Sequence, residues 1–588
     1  MTFEFTSRRS PVYSLHGGCA SSQPLATMAG VDVLKRGGNA VDAAVCMAAV
    51  LAVTEPCSTG LGGDAFALFY NAKTKKVRGI NGSGRSASRV SLSSVAGQFK
   101  HVPLQHGHAV TVPGACAAWM DMLGEWGSLP VADVLAPAVH LAHNGFAVAS
   151  VTAHCWAAAR ASLEAPSPFL PVPKAGDVFR NPELAATLQD VVAHGASAIY
   201  QGRRARAICD EVARRGGVLA LDDLQAHASE FVDPVVLRYR GCIDVFEHPP
   251  NGQGVAALMA LDAFQALTPA PTAALARHSP ERVHLLIECM RSAFADARAH
   301  IADPAAMRVD ACTLLADPEH KKRRLARVDT ARASVRGLPL ASSETVSFCA
   351  VDTAGNAVSM VNSNYLAFGT GFCPPGCGFS LQNRGANFVL DAAHANCLGP
   401  SKRPYHTILP GLSLYAEDAS LHSAFNVMGG FMQPVSLPRA RAASVSRTHA
   451  RTPREPCSKA TCRLSATSST WATTPSRRST LRASAWTLPA ALRSSPACPS
   501  TACARWATTR TCCMASSACC SAAGRLSTER AIPECSAWAA TAAPTAAPLG
   551  SRSRRRRVFT CVASRRGWVD IRLRMFLYKK PRRLMTAP

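Results

Sequence analysis

The 588-residue sequence predicts an α+β protein on three observations. Apolar residues between Leu25 and Leu51 recur at three- and four-residue steps, the spacing of helices. A long middle stretch, about Gly114 to Val328, is also helix-rich. At Glu344 the texture changes to strand-like alternation.

The elements follow in order. Ala29, Val33 and Leu34, then Val41, Ala44, Val45 and Ala48, mark two helices. Gly37-Gly38-Asn39 ends the first, and Thr54-Glu55-Pro56 closes the second. Gly60-Leu61-Gly62-Gly63-Asp64 reads as a tight loop before a strand from Ala65 to Tyr70. Pro130 to Asn144 and Ser279 to Ile301 read as helices within the middle stretch. Asp329 to Ser343 is polar and reads as an exposed linker. Val346 to Val351, a turn at Asp352–Asn356 and a return strand from Ala357 to Val361 form a hairpin. Further strand-like pieces are Phe379 to Leu381, Leu412 to Tyr415 and Ala424 to Met428.

The formal charge of +26 suggests a nucleic-acid partner until the chain is divided. Residues 435–588 hold 28 Lys/Arg against 4 Asp/Glu, whereas 1–434 holds 36 against 34, so only the tail is basic. Ten of the 23 cysteines also lie in the tail. The remaining cysteines form no zinc-type double Cys-x-x-Cys pattern, and Cys373 and Cys377 lack a second pair, so no metal is expected. The longest apolar run, Ala43 to Val53, is too short for a bilayer, which needs about 20 residues. With no apolar signal core near Met1, the expected location is cytoplasmic.

Thr345 lies between the polar linker and a strand start. Taken alone it is only a β-favouring residue. If the bond before it were cut, its α-amine could act as base for its own hydroxyl. Its surroundings sharpen that reading. Thr345-Val-Ser-Phe-Cys-Ala-Val-Asp352-Thr-Ala-Gly355-Asn356, Phe368-Gly-Thr-Gly371, Gly399-Pro-Ser-Lys402-Arg403-Pro404 and Gly429-Gly430 resemble, in this order, the small subunit of γ-glutamyltransferases. Upstream, Gly37-Gly38-Asn39-Ala40-Val41-Asp42 and Gly60-Leu-Gly62-Gly63-Asp64 resemble the large subunit.

The resemblance covers roughly residues 10–434. It implies an N-terminal-nucleophile hydrolase with an αββα sandwich, a large-subunit region 1–344 and an incomplete small-subunit region 345–434. It implies self-cleavage before Thr345, pairing of the two fragments, and cleavage of γ-glutamyl or related acyl amides such as glutathione, with water or an amine as acceptor and no cofactor. Thr345 would be the nucleophile, Ser363 would assist its amine, and Gly429 and Gly430 would offer N–H groups to the oxyanion. Arg85 would clamp a substrate carboxylate, a task suited to a guanidinium.

Some positions depart from the family pattern. Asn387 stands where an Asp pairs with the substrate ammonium, and Asn carries no charge. His406 and Thr407 replace a Ser-Ser pair that helps hold the carboxylate, and His406 reads equally as a donor or as a structural residue. Tyr365 occupies a position that is usually Asn. These changes point toward the divergent branch and the related cephalosporin acylases, which cleave glutaryl-type amides.

After Pro434 no helical or strand period is evident, and the acidic, glycine-containing ending of the family is missing. Residues 435–588 are expected to be off-frame and disordered, through a frameshift near codon 434. Read from the last base of the Trp538 codon, Trp538–Gly550 permits Gly-(Gly/Ser)-Asp-x-Arg-Ala-Asp-Gly, close to the missing ending. The rival reading is an inactive scaffold whose basic tail, with Arg554–Arg557, contacts nucleic acid.

Overall fold

Helix α1 (Pro24–Lys35) stops just before Gly37, which adopts φ 93°, a backbone state that favours glycine. Helix α2 (Ala40–Thr54) then starts from a capping box: the Asn39 side chain accepts from the N–H groups of Val41 and Asp42, and the Asn39 N–H donates to Asp42 Oδ2 at 2.8 Å. Every residue of α2 is buried, as its nearly unbroken apolar sequence requires. The computed structural model describes residues 12–268, 279–334, 345–434, 556–563 and 568–576.

The described strands, in chain order, are β1 (Val12–Ser14), β2 (Gly18–Ala20), β3 (Asp64–Asn71), β4 (Lys76–Gly82), β5 (Phe146–Ala147), β6 (Val178–Phe179), β7 (Glu230–Val232) and β8 (Val235–Tyr239). They continue with β9 (Ile243–Glu247), β10 (Val346–Val351), β11 (Ala357–Ser363), β12 (Pro410–Tyr415), β13 (Leu421–Val427), β14 (Arg556–Ala563) and β15 (Trp568–Phe576). One antiparallel sheet has the order β2-β10-β11-β3-β4-β7 and the other β1-β14-β15-β13-β12-β9-β8. Strands β5 and β6 form a separate small pair.

Leu68, Cys349, Val351, Leu412 and Ala424 fill the space between the two large sheets. Helix α2 and the helices Ala115–Trp126 and Val131–Asn144 share a core with the outer face of the β10–β11 hairpin. Helices Gly254–Leu267 and Pro280–His300 share another with β8, β9 and β13. The layers are therefore α, β, β, α. Strands β10 and β11, from residues 345–434, lie between β2 and β3, from residues 1–344, in one sheet.

The hairpin read from Val346 onward forms as expected, and its return strand runs on to Ser363. Two expectations need correction. The helix-rich middle contains the β8–β9 hairpin, where Val235, Val236, Leu237, Ile243, Val245 and Phe246 supply β-favouring residues on either side of a Gly241 turn. Phe379–Leu381 is not a strand. Phe379 and Leu381 are buried loop residues of the α2-side core, between Gly376 and Gly378 with positive φ on one side and Gln382 on the other.

Two segments of the tail are described, and both are strands. Residues 556–563 and 568–576 pair as β14 and β15, and β15 also pairs with β13. Both segments are rich in β-branched and aromatic types, including Val558, Phe559, Thr560, Val569 and Ile571, and β13 presents backbone groups that a further strand can satisfy. Trp538–Gly550, which the frameshift reading invokes, lies outside the described residues, as does the Asp329–Ser343 linker from Val335 onward.

Candidate active site

Thr345 immediately precedes β10, and the antiparallel register that pairs Val346 with Asn362 sets it opposite Ser363. Thr345 is 3% exposed, and its Oγ1 lies 3.1 Å from Ser363 Oγ. Ser363 Oγ also accepts from the Tyr365 N–H at 2.9 Å and from Arg384 Nη2 at 3.4 Å. Tyr365 has φ 78°, uncommon for a residue with a side chain, and its ring lies 4.4 Å from the Arg384 guanidinium carbon.

Arg384 is fully buried and donates through Nη1 to Thr407 Oγ1 at 2.7 Å. Burial lowers its pKa to about 10, with Asp64 pulling the other way. Thr345, Ser363, Arg384 and Thr407 thus form one connected polar group. Sequence reasoning missed Arg384, although it named Asn387 three residues further on. Nothing in an Arg-Gly-Ala-Asn run shows that its side chain is buried.

His406 faces elsewhere. Its Nε2 lies 3.0 Å from Asp64 Oδ2, both side chains are wholly buried, and its Nδ1 accepts from the Ile408 N–H at 3.3 Å. A ring nitrogen that accepts carries no proton, so His406 is neutral and donates through Nε2. Burial also drives its pKa well below the usual value, assisted by the charge of Arg384. Asp64 Oδ1 accepts from Gly84 N, Gly114 N and Gln382 Nε2. Burial raises the Asp64 pKa to about 6, against the opposing effect of Arg384. Both ring nitrogens of His406 are thus engaged within the protein.

Arg85 is also already engaged. Its Nη1 is 3.0 Å from Asp303 Oδ2 and its Nη2 is 3.0 Å from Glu230 Oε1. Asn387 donates from Nδ2 to Tyr405 O at 3.0 Å, within the loop that leads to His406. Gly429 and Gly430 follow β13 with φ of 123° and 52°, conformations open to glycine. Gln253, a second residue missed from sequence, joins this turn to the site: its Nε2 donates to Thr407 O at 2.7 Å and to Gly430 O at 2.9 Å. Among the described residues no three His, Cys, Asp or Glu groups are placed to hold a metal, and no helix is long and apolar enough to cross a membrane.

A hydroxyl nucleophile candidate at a strand start, a second hydroxyl beside it and a buried cation behind them form an arrangement suited to acyl transfer. Several known proteins are similar to this chain. The sequence profile of gamma-glutamyltranspeptidase matches residues 26–444. The glutathione hydrolase-like YwrD proenzyme of Bacillus subtilis is 35% identical over 70% of this chain and 78% of its own length. The oxamate amidohydrolase proenzyme of Klebsiella pneumoniae is 33% identical over 72% of this chain and 80% of its own. The cephalosporin acylase structure from Bacillus halodurans superposes with a TM-score of 0.68 at 36% identity, covering 76% of this chain and 83% of that one. The chain is a member of the γ-glutamyltranspeptidase family.

Proposed function

We propose that the protein cleaves γ-glutamyl or related acyl amides through an acyl-enzyme on Thr345, after cutting its own chain before that residue. The observation that carries this reading is the 3.1 Å approach of Thr345 Oγ1 to Ser363 Oγ at the start of β10. Once the Glu344–Thr345 bond is cut, the new α-amine takes the hydroxyl proton as Oγ1 attacks the amide carbonyl. The tetrahedral oxyanion is held by the backbone N–H groups of Gly429 and Gly430. Collapse expels the amine, which leaves with the proton. Water or a second amine then attacks the ester carbonyl and releases Thr345. Arg85, Asn387 and Thr407 contribute to the walls that receive the acyl group, and no cofactor takes part. The two fragments stay paired through the shared sheet.

A second reading, cleavage of glutaryl-type amides, is favoured by the uncharged Asn387 and by the relatives named as an oxamate amidohydrolase and a cephalosporin acylase. The test of the main reading is intact mass together with γ-glutamyl-p-nitroanilide turnover, for the parent and for Thr345→Ala. The reading expects two fragments and turnover in the parent only. A single uncut chain in both would overturn it.

A further inference from the structure

Arg384 is a buried cation with unused hydrogen-bonding capacity. Among the described residues its Nε has no hydrogen-bond partner, and Nη2 reaches only Ser363 at 3.4 Å. Nε and Nη2 form the edge of a guanidinium that grips a carboxylate through two parallel hydrogen bonds. No described carboxylate lies within salt-bridge distance of it. Asp64 spends Oδ1 on Gly84, Gly114 and Gln382, and Oδ2 on His406. Tyr365 covers one face of the guanidinium, so a ligand meets it edge-on. Arg85, by contrast, already holds two acids, Asp303 and Glu230. Asp64 acts on this charge only from beyond salt-bridge distance, so burial remains costly and an anionic ligand in direct contact would offset it.

We propose that Arg384 is the specificity-determining residue of the acyl pocket, taking the carboxylate of a short dicarboxylic half-amide and disfavouring an acyl group that brings an ammonium to the same place. The length limit follows from position: Arg384 Nη2 and Thr345 Oγ1 are both hydrogen-bonding neighbours of Ser363 Oγ, so few atoms separate carboxylate from scissile carbonyl. The substrate class rests on the acyl-enzyme reading above. The role of the arginine as a carboxylate binder is tested separately.

The experiment measures binding of glutarate, its uncharged diamide glutaramide and L-glutamate to the full chain by calorimetry, then repeats it on Arg384→Gln and Arg384→Lys. The parent is expected to bind glutarate about tenfold more tightly than either analogue. Arg384→Gln is expected to erase that preference, and Arg384→Lys to keep part of it. An arginine that merely braced Ser363 and Thr407 would weaken all three ligands alike and leave their ratio unchanged. That result, or equal or absent binding in the parent, overturns the proposal. If Arg384→Gln does not fold, the ligand series on the parent decides alone. A glutarate preference without any amide turnover would sink the amidase reading and leave the carboxylate site standing.

Discussion

Asp64 Oδ2 and His406 Nε2 lie 3.0 Å apart with neither side chain exposed to water. Replacing His406 by Ala leaves the buried Asp64 Oδ2 without its donor, at a cost of about 3 kcal/mol in urea unfolding. His406→Gln can still donate and is expected to lose less than half of that. The penalty also varies with pH. The folded state resists protonation of His406, so His406 contributes stability above the ordinary histidine pKa that is lost as pH falls. Asp64, raised to about 6, acts oppositely, but it is present in both proteins. The His406→Gln penalty should therefore shrink between pH 7 and pH 4.5, and a constant or growing penalty would contradict the neutral buried imidazole.

Ser363 is expected to act in self-cleavage as well as turnover. Ser363→Ala removes the hydroxyl 3.1 Å from Thr345 Oγ1 and should slow appearance of the two fragments by about 100-fold. Ser363→Thr keeps the hydroxyl and should restore most of the rate. Time-resolved intact mass distinguishes the two.

Arg85→Gln should change the KM for glutaryl-p-nitroanilide less than Arg384→Gln does. Asp303 and Glu230 already occupy the Arg85 guanidinium, while among the described residues the Nε of Arg384 has no hydrogen-bond partner. A larger effect from Arg85 would place the carboxylate clamp there instead.

Gln253→Ala removes the donor shared by Thr407 O and Gly430 O. Leaving these carbonyls without it should cost about 2 kcal/mol in thermal unfolding. If the Gly429–Gly430 turn carries the oxyanion donors, kcat falls while KM holds. A fall in stability alone would assign Gln253 a purely structural part.

Ending the chain at Pro434 removes β14 and β15 and exposes the edge of β13. The truncated protein is expected to aggregate and to remain uncut. Soluble, self-cleaved protein after truncation would show that these two strands are dispensable.

Much of the fold was legible because local chemistry dictated it. Gly37 and the Asn39 cap separate α1 from α2, and the Asp352–Asn356 turn sets the register that brings Thr345 opposite Ser363. The β8–β9 hairpin was not, since its short apolar run is ambiguous between helix and strand until the neighbouring β12 is placed beside it. Ordered motifs pointed to the family and to Thr345. They could not show that Arg384 is buried beside Tyr365, or that Asp64 claims His406, because both facts arise from contacts between segments far apart in sequence.

The placement of β10 inside a sheet, between β2 and β11, has a consequence for the life of a processed molecule. A precursor forms this sheet as one chain, with the two strands tethered. After the cut, separating the pieces means stripping β10 and β11 from β2 and β3, and rejoining them becomes a bimolecular search by two incomplete halves. The nick would thus act as a ratchet: the architecture persists as a kinetic inheritance from the precursor, and differently tagged copies mixed after processing should not exchange halves.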